Sequence, residues 1–347
     1  MSESWTNSLL NLGAEFDAGR VTGFSATPAQ DWSAQSNGLC DLSHYGLIRV
    51  SGEDAGRFLQ AQLTNDVLAL EVGAAQLNGW CSPKGRLLAV FTLWREADAY
   101  FLMLPRSLRA GIQARMGMFV LRSKVVVADV SDTTVRLGLT ANSPVEFASL
   151  FPDAVPVAQG TVMTIHGGTA VRISHSRAIL VLQPTLAEAR WRELSSLAAT
   201  LTANAWDLSI IREGVVEVLP ETQDAYVPQM TNFELVGGVS FKKGCYPGQE
   251  IVARTQYRGI LKRRMVRVQV AFQTALAPGA PIYSPAFPDQ AAGSVVISAR
   301  SDEDTVEALV VAQLDAIEHN SLFLDQQFPA AGRLELLALP YMLPNQS

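Results

Sequence analysis

Beyond Gly259 the chain changes character, and that change constrains its fold more than any other feature. Four stretches, Met265–Phe272, Gly293–Ala299, Thr305–Leu314 and Arg333–Leu339, alternate or run in apolar residues and are separated by Pro/Gly turns. Such spacing predicts strands, so this part reads as a small all-β barrel or sandwich of about 80 residues. The whole chain has 347 residues, 48% of them apolar and 17% charged, which is ample for two or three domains with real cores. Disorder, which needs low hydrophobicity and high net charge, is excluded.

Ahead of that module the pattern mixes strands and helices. The first forty residues read as a helical start and a surface connection. Tyr45–Val50 is a β-type run, and Ser51-Gly-Glu-Asp54 suits a capping box opening a helix through Phe58, Leu59 and Leu63. Ala75–Cys81 and Arg86–Trp94 form a hairpin around Ser82-Pro83-Lys84-Gly85, where Pro fixes one φ and Gly permits a positive one. Tyr100–Leu104 and Lys124–Val130 are strands flanking a helix over Arg106–Phe119. A second α+β unit follows, with strands near Val135–Leu139, Thr169–Ser174 and Ala178–Leu182 and helices near Leu186–Ala198 and Ala205–Arg212.

Several function classes fall away at once. No apolar run approaches the roughly 20 residues of a bilayer span, and the start lacks the basic flank and apolar core of a secretory signal, so a soluble cytoplasmic protein is expected. Cys40, Cys81 and Cys245 are odd in number and far apart, with no CxxC pair. The four histidines show no ligand spacing, so no permanently bound metal is expected. The nucleophile elbow, the P-loop, the dinucleotide fingerprint and the HExxH zinc motif are all missing.

The net charge of −6 is unevenly spread. Lys242 to Arg267 holds eight basic residues and one acid, Glu250, a local +7 that leaves −13 for the remainder. An acidic protein does not coat nucleic acid nonspecifically, yet this segment can hold a polyanion, a carboxylate-bearing ligand or a phosphate backbone.

The same segment carries the chemistry. Phe241 to Gly259 concentrates a thiol, two preceding lysines, three glycines and a Pro-Gly turn. Pro247-Gly248 suits a type II turn that exposes Cys245 at a loop tip. If Gly248-Gln249-Glu250 opens a helix, the thiol stands ahead of a positive helix terminus beside Lys242 and Lys243, and both effects favour thiolate. The alternative is a tight turn around a half-buried thiol.

Lys242-Lys-Gly-Cys-Tyr-Pro-Gly-Gln-Glu250, running on through Arg254, Arg258 and Lys262-Arg-Arg264, resembles the signature of the bacterial YgfZ-like folate-binding proteins, relatives of a mitochondrial iron–sulfur assembly factor. Leu42–Gly52, Phe58–Asp66, Pro83–Leu88 and Leu121–Val125 are similar to that family too, in order along the chain. The resemblance implies an α+β fold like the glycine-cleavage T-protein: two α+β subdomains and a C-terminal β-barrel around a central channel. Residues 1–262 would form the folate-binding module, with subdomains of about 40–134 and 135–262, and 263–347 the barrel.

It further implies that tetrahydrofolate or a one-carbon derivative is the cofactor, with Glu213 pairing the pterin. Arg254 and Arg258 would hold the glutamate tail, and Gln249 and Tyr246 are further contacts. Cys245 would be the working thiol, with Lys243 beside it; Lys242, Gly244, Pro247, Gly248 and Glu250 complete the motif. The aminomethyltransferases of this fold place a catalytic aspartate on the strand after the turn that here reads Lys84-Gly85. Here Ala89 and Val90 fall at that place, so T-protein-type transfer is not expected.

The function implied is an accessory role in assembly or repair of iron–sulfur clusters in client enzymes, tRNA-modifying radical enzymes among them. Partners would be folate and iron–sulfur client or assembly proteins, with tRNA touched only indirectly or weakly and no membrane. A folate-dependent one-carbon transferase and a tRNA-binding module remain the alternatives.

Overall fold

The computed structural model describes residues 3–25, 37–141, 147, 150, 158–259, 261–271 and 276–344. Two compact units interleave along the chain: one takes 1–60, 66–77 and 91–206, the other 61–65, 78–90 and 207–347. Among the described residues no helix is long and apolar enough to cross a membrane.

The first unit opens with a helix over Glu3–Asn11 and a hairpin of β1 (Ala14–Asp17) and β2 (Arg20–Phe24). The hairpin turns through Ala18 and Gly19, both at positive φ (46° and 77°), as a two-residue loop of primed type requires. The sequence reads as a helical start and a surface connection over the first forty residues; the helix is present, the hairpin is an addition, and 26–36 lie outside the described residues. β3 (Gly38–Asp41) then pairs antiparallel with β9 (Val135–Thr140) and parallel with β13 (Ala199–Leu201). The sheet order is β10-β11-β12-β9-β3-β13, with β10 at Val162–Ile165, β11 at Gly168–Arg172 and β12 at Arg177–Leu182. β12 is buried along its whole length, and its Ala-Ile-Leu-Val-Leu run is what a strand covered on both faces looks like. Trp5 and Trp191 meet edge to face at 5.8 Å in the core under this sheet.

The second α+β motif contains a strand, β10, that the sequence spacing does not predict, and differs at a helix boundary. The helix expected near Leu186–Ala198 starts at Pro184, a ring tolerated in the first turn, and stops at Leu194, leaving Ala199–Leu201 as strand.

A five-stranded sheet has the order β5-β6-β7-β4-β8, from Ala75–Cys81, Leu87–Arg95, Ala99–Pro105, Tyr45–Ser51 and Val126–Asp129. Helices over Ala55–Gln62 and Arg106–Val120 belong to the same stretch. Asp54 does not complete a capping box with Ser51: Gly52 sits at φ 113°, and the Asp54 carboxylate accepts from the Lys124 amide (2.9 Å) and the Arg57 guanidinium (2.6 Å).

In the second unit the C-terminal strands, β14 (Arg263–Ala271), β15 (Pro281–Ile282), β16 (Gly293–Arg300), β17 (Thr305–Gln313) and β18 (Glu335–Leu337), form one curled sheet of order β15-β16-β17-β14-β18. Phe323 pairs with Tyr283 beside one edge strand and with Arg333 beside the other, stitching the edges toward a barrel. Along β14 the sequence Arg267-Val-Gln-Val270 alternates half-buried with buried, so its valines enter the core and its polar residues face out.

Candidate functional site

The segment from Phe241 to Arg258 lies wholly in the second unit. Pro247 and Gly248 occupy the two central positions of a turn closed by the Gln249 amide donating to the Tyr246 carbonyl (3.1 Å). Gly248 at φ 77°, ψ 4° has the left-handed geometry that a type II turn demands at its third residue. It also caps the helix Gln249–Tyr257, whose Val252 amide donates back to its carbonyl (3.2 Å). Cys245 is exposed, as are Lys242, Gly244 and Glu250, and Pro247 is half-buried.

Two side chains of the motif turn inward. Lys243 is only 7% exposed; its ammonium donates to the Leu63 carbonyl (2.5 Å) and lies 5.1 Å from the centre of the Tyr246 ring. Tyr246 is buried, and burial, with Cys81 beside it, raises its phenol above the ordinary range. The half-buried Gln249 amide reaches the Lys243 carbonyl at a long 3.5 Å.

The strand of residues that receives Lys243 is itself clipped to the approach of the loop. Thr64 Oγ1 donates to the Gly238 carbonyl (2.7 Å), Asn65 Nδ2 to that of Gly237 (2.8 Å), and the Ser240 amide to that of Thr64 (3.0 Å). On the other side stands the Ser82–Gly85 turn, closed by the Gly85 amide on the Ser82 carbonyl (2.9 Å), with Gly85 at φ 68°. Ser82 Oγ donates to Asp224 (2.7 Å). Burial, and then the Asp224 carboxylate, pushes the Cys81 thiol up to about 12. None of these supports is visible from the motif alone; the Pro-x-Gly spacing at 83–85 marks a turn but not its destination.

Six of the eight cations of this segment sort into two groups. Arg264 and Arg267 are structural: Arg264 pairs with Glu234 (2.5 Å), both nearly buried, and also donates to the Gln229 carbonyl (2.9 Å), while Arg267 shares Glu307 with Arg212. Burial raises the Glu234 carboxyl above its usual range despite Arg264. Lys242, Arg254, Arg258 and Lys262 are exposed, and among the described residues none makes an ion pair. Glu213 lies elsewhere in the same unit. It is half-buried just past the helix Ala203–Arg212, its amide donating to the Ser209 carbonyl (3.1 Å), and Gly214 after it takes φ 64°. Among the described residues no cluster of three or more His, Cys, Asp or Glu could hold a metal ion.

Such a site presents one exposed thiol ahead of a hydrogen-bonded turn, in a segment whose exposed cations Lys242, Arg254, Arg258 and Lys262 make no ion pair among the described residues. The chain matches the GCVT N-terminal domain over residues 27–144. It is 34% identical over 317 residues to the tRNA-modifying protein YgfZ of Vibrio vulnificus strain CMCP6, covering 88% of this chain and 92% of that protein. It is 30% identical to the protein of the same name from Aliivibrio fischeri strain MJ11, with 89% and 93% covered. The crystal structure of glycine cleavage system aminomethyltransferase T from Bartonella henselae superposes with a TM-score of 0.78 at 16% identity, over 97% of this chain and 96% of that one. The α+β architecture with its curled C-terminal sheet is therefore that of the T-protein fold.

Proposed function

Because this chain belongs to the YgfZ family, whose relatives bear the name tRNA-modifying protein, we propose that it is a folate-binding accessory protein supporting iron–sulfur clusters in client enzymes, tRNA-modifying ones among them. The observation that carries this reading is the display of Cys245 on a turn braced from two sides while the other two thiols are buried. A single thiolate supplies one of the four ligands such clusters usually take, so its contact with a cluster or a client thiol is shared and transient.

The residues suit a folate. Glu213, half-buried past a helix end, has the charge to accept hydrogen bonds from the amino-pyrimidine edge of a pterin. Arg254 and Arg258 offer guanidinium groups free of ion pairs among the described residues, which suits a glutamate tail. A reduced folate, when bound, carries a one-carbon unit. Transfer of that unit in the aminomethyltransferase manner lacks a carboxylate here, because β6 reads Leu-Leu-Ala-Val-Phe-Thr-Leu-Trp-Arg and buries Ala89 and Val90.

The test is a calorimetric titration of the full chain with tetrahydrofolate, paired with the activity of cluster-containing enzymes in cells whose own copy is replaced by the Cys245→Ser variant. Binding without turnover, together with loss of client activity in the variant, is the expected result. Full client activity with serine at 245, or turnover of a one-carbon folate, would overturn the reading.

A further inference from the structure

The basic segment presents one exposed ring, Tyr257, that the proposed function does not use, next to two arginines, Arg254 and Arg258, that it does. Tyr257, at the last turn of the helix Gln249–Tyr257, is 70% exposed. An aromatic side chain this open on a nine-residue helix gains little from the fold. It is nonetheless held in place: the Phe241 ring packs against it edge to face, with centroids 6.0 Å apart. Arg254 stands one turn before it on the helix and Arg258, the C-cap, directly follows it, the Arg258 amide donating to the Arg254 carbonyl (2.9 Å). Both guanidinium groups are exposed and, among the described residues, carry no ion pair; Lys262 follows, also exposed. The one acid nearby on the helix, Glu250, belongs to the opposite end.

We infer that this face is a stacking platform for an unpaired nucleobase of RNA, with Arg254, Arg258 and Lys262 taking the flanking phosphates. A π-face braced from behind and bordered by cations is the arrangement that single-stranded nucleic acid recognises without base-specific hydrogen bonds. A purely acidic protein partner would use the cations and leave the exposed ring unexplained. Duplex RNA would use the cations too, but its bases are stacked and cannot reach Tyr257. The loop containing Cys245 runs alongside this helix: Phe241 at its start touches Tyr257, and Gly248 at its end caps the N-terminus. A base held on Tyr257 thus sits about one helix length, roughly 13 Å, from the turn that carries the thiol.

The inference rests on the family reading only in taking RNA as the polyanion; folate titration and RNA titration fail separately. The experiment is fluorescence anisotropy of a fluorescein-labelled oligouridylate with the full chain, alongside a blunt RNA duplex. The single strand is expected to bind with steep salt dependence and better than the duplex. Tyr257→Ala should weaken it roughly 5- to 150-fold, while Tyr257→Phe, which keeps the π-face, binds like the parent. Arg258→Ala should lower the slope of log affinity against log salt by about 0.7. No binding of the single strand, equal binding of the duplex, or an unchanged affinity in Tyr257→Ala would each overturn the proposal. Unchanged melting temperatures of these surface variants keep the readout on binding.

Discussion

Gly248 and Gly85 meet backbone to backbone: a Cβ on Gly248 would stand 2.6 Å from the Gly85 Cα and 2.4 Å from the Ser82 carbonyl oxygen, and one on Gly85 would stand 2.8 Å from the Ile251 Cβ. Both glycines also hold positive φ, 77° and 68°. Two turns 163 positions apart are therefore locked by an approach that no other residue permits.

Gly248→Ala should cost stability twice over, about 1–2 kcal/mol for the left-handed backbone and more for a clash that falls on main chain rather than on a yielding side chain. Gly85→Ala should behave alike, and the double variant should lose less than the sum, since the first substitution already parts the turns. Urea unfolding of the three variants checks this. Strict additivity would mean the turns are not coupled.

Asp41 predicts a pH dependence. Burial raises its carboxyl above the usual range, although the Trp5 indole and the Ser43 hydroxyl each donate to it at 2.8 Å. A folded-state value above the unfolded one means that the native state holds the proton more tightly. The stability this contributes is complete below the unfolded pKa and is lost as pH rises through the folded one. Asp41→Asn keeps an acceptor for Trp5 and cannot ionise, so it should gain on the parent as pH rises from the ordinary aspartate value of about 3.9 through the raised folded one. Parallel urea midpoints across that range would refute the assignment.

The pair Arg264–Glu234 supplies a contrast. Glu234→Ala leaves a guanidinium buried without its carboxylate and should cost about 3–5 kcal/mol. Glu234→Gln retains an acceptor and should cost clearly less, as thermal unfolding of the two variants can show.

The sequence announces features whose cause is local. The Pro-x-Gly turn at 83–85, the Pro247-Gly248 turn and the strand over Met265–Phe272 are each written in consecutive residues; the two turns appear as read, and the strand runs over Arg263–Ala271, with Phe272 outside the described residues. What stays hidden depends on distant partners. Nothing around Lys243 names the Leu63 carbonyl, 180 positions earlier, as the place its ammonium goes. The basic run likewise looks uniform in sequence, yet Arg264 and Arg267 are consumed by Glu234 and Glu307 while Arg254 and Arg258 remain outside. The hairpin at Ala18-Gly19 escapes because an alanine at φ 46° carries no sequence mark of a turn.

Glu213 is where the folate reading is most exposed to failure. If its half-buried carboxylate pairs the pterin, Glu213→Gln should weaken tetrahydrofolate binding by roughly 1–3 kcal/mol, the penalty for a poorly matched buried partner. An unchanged affinity by calorimetry would move the pairing group elsewhere.

The three cysteines give the sharpest test of the site. Alkylation needs a thiolate and a path to it. Cys40 is fully buried in β3, its thiol lying 3.8 Å from the Thr202 carbonyl oxygen, and Cys81 is 1% exposed with its thiol pushed up to about 12 by burial and Asp224. Cys245 alone is exposed, on a turn held by Gly248 and by the inward anchors Lys243 and Tyr246. In the native protein, iodoacetamide near neutral pH should therefore label Cys245 first and singly by mass spectrometry, with Cys40 and Cys81 following only at the rate of unfolding. Gly248→Ala, which parts the two turns, should leave Cys245 labelled as before but hasten the labelling of Cys81, because the Ser82 turn that covers it is loosened. Labelling of Cys81 as fast as Cys245 in the parent would mean that the Ser82 turn opens on its own, and the thiol would then be presented by a fluctuating loop rather than by a fixed one.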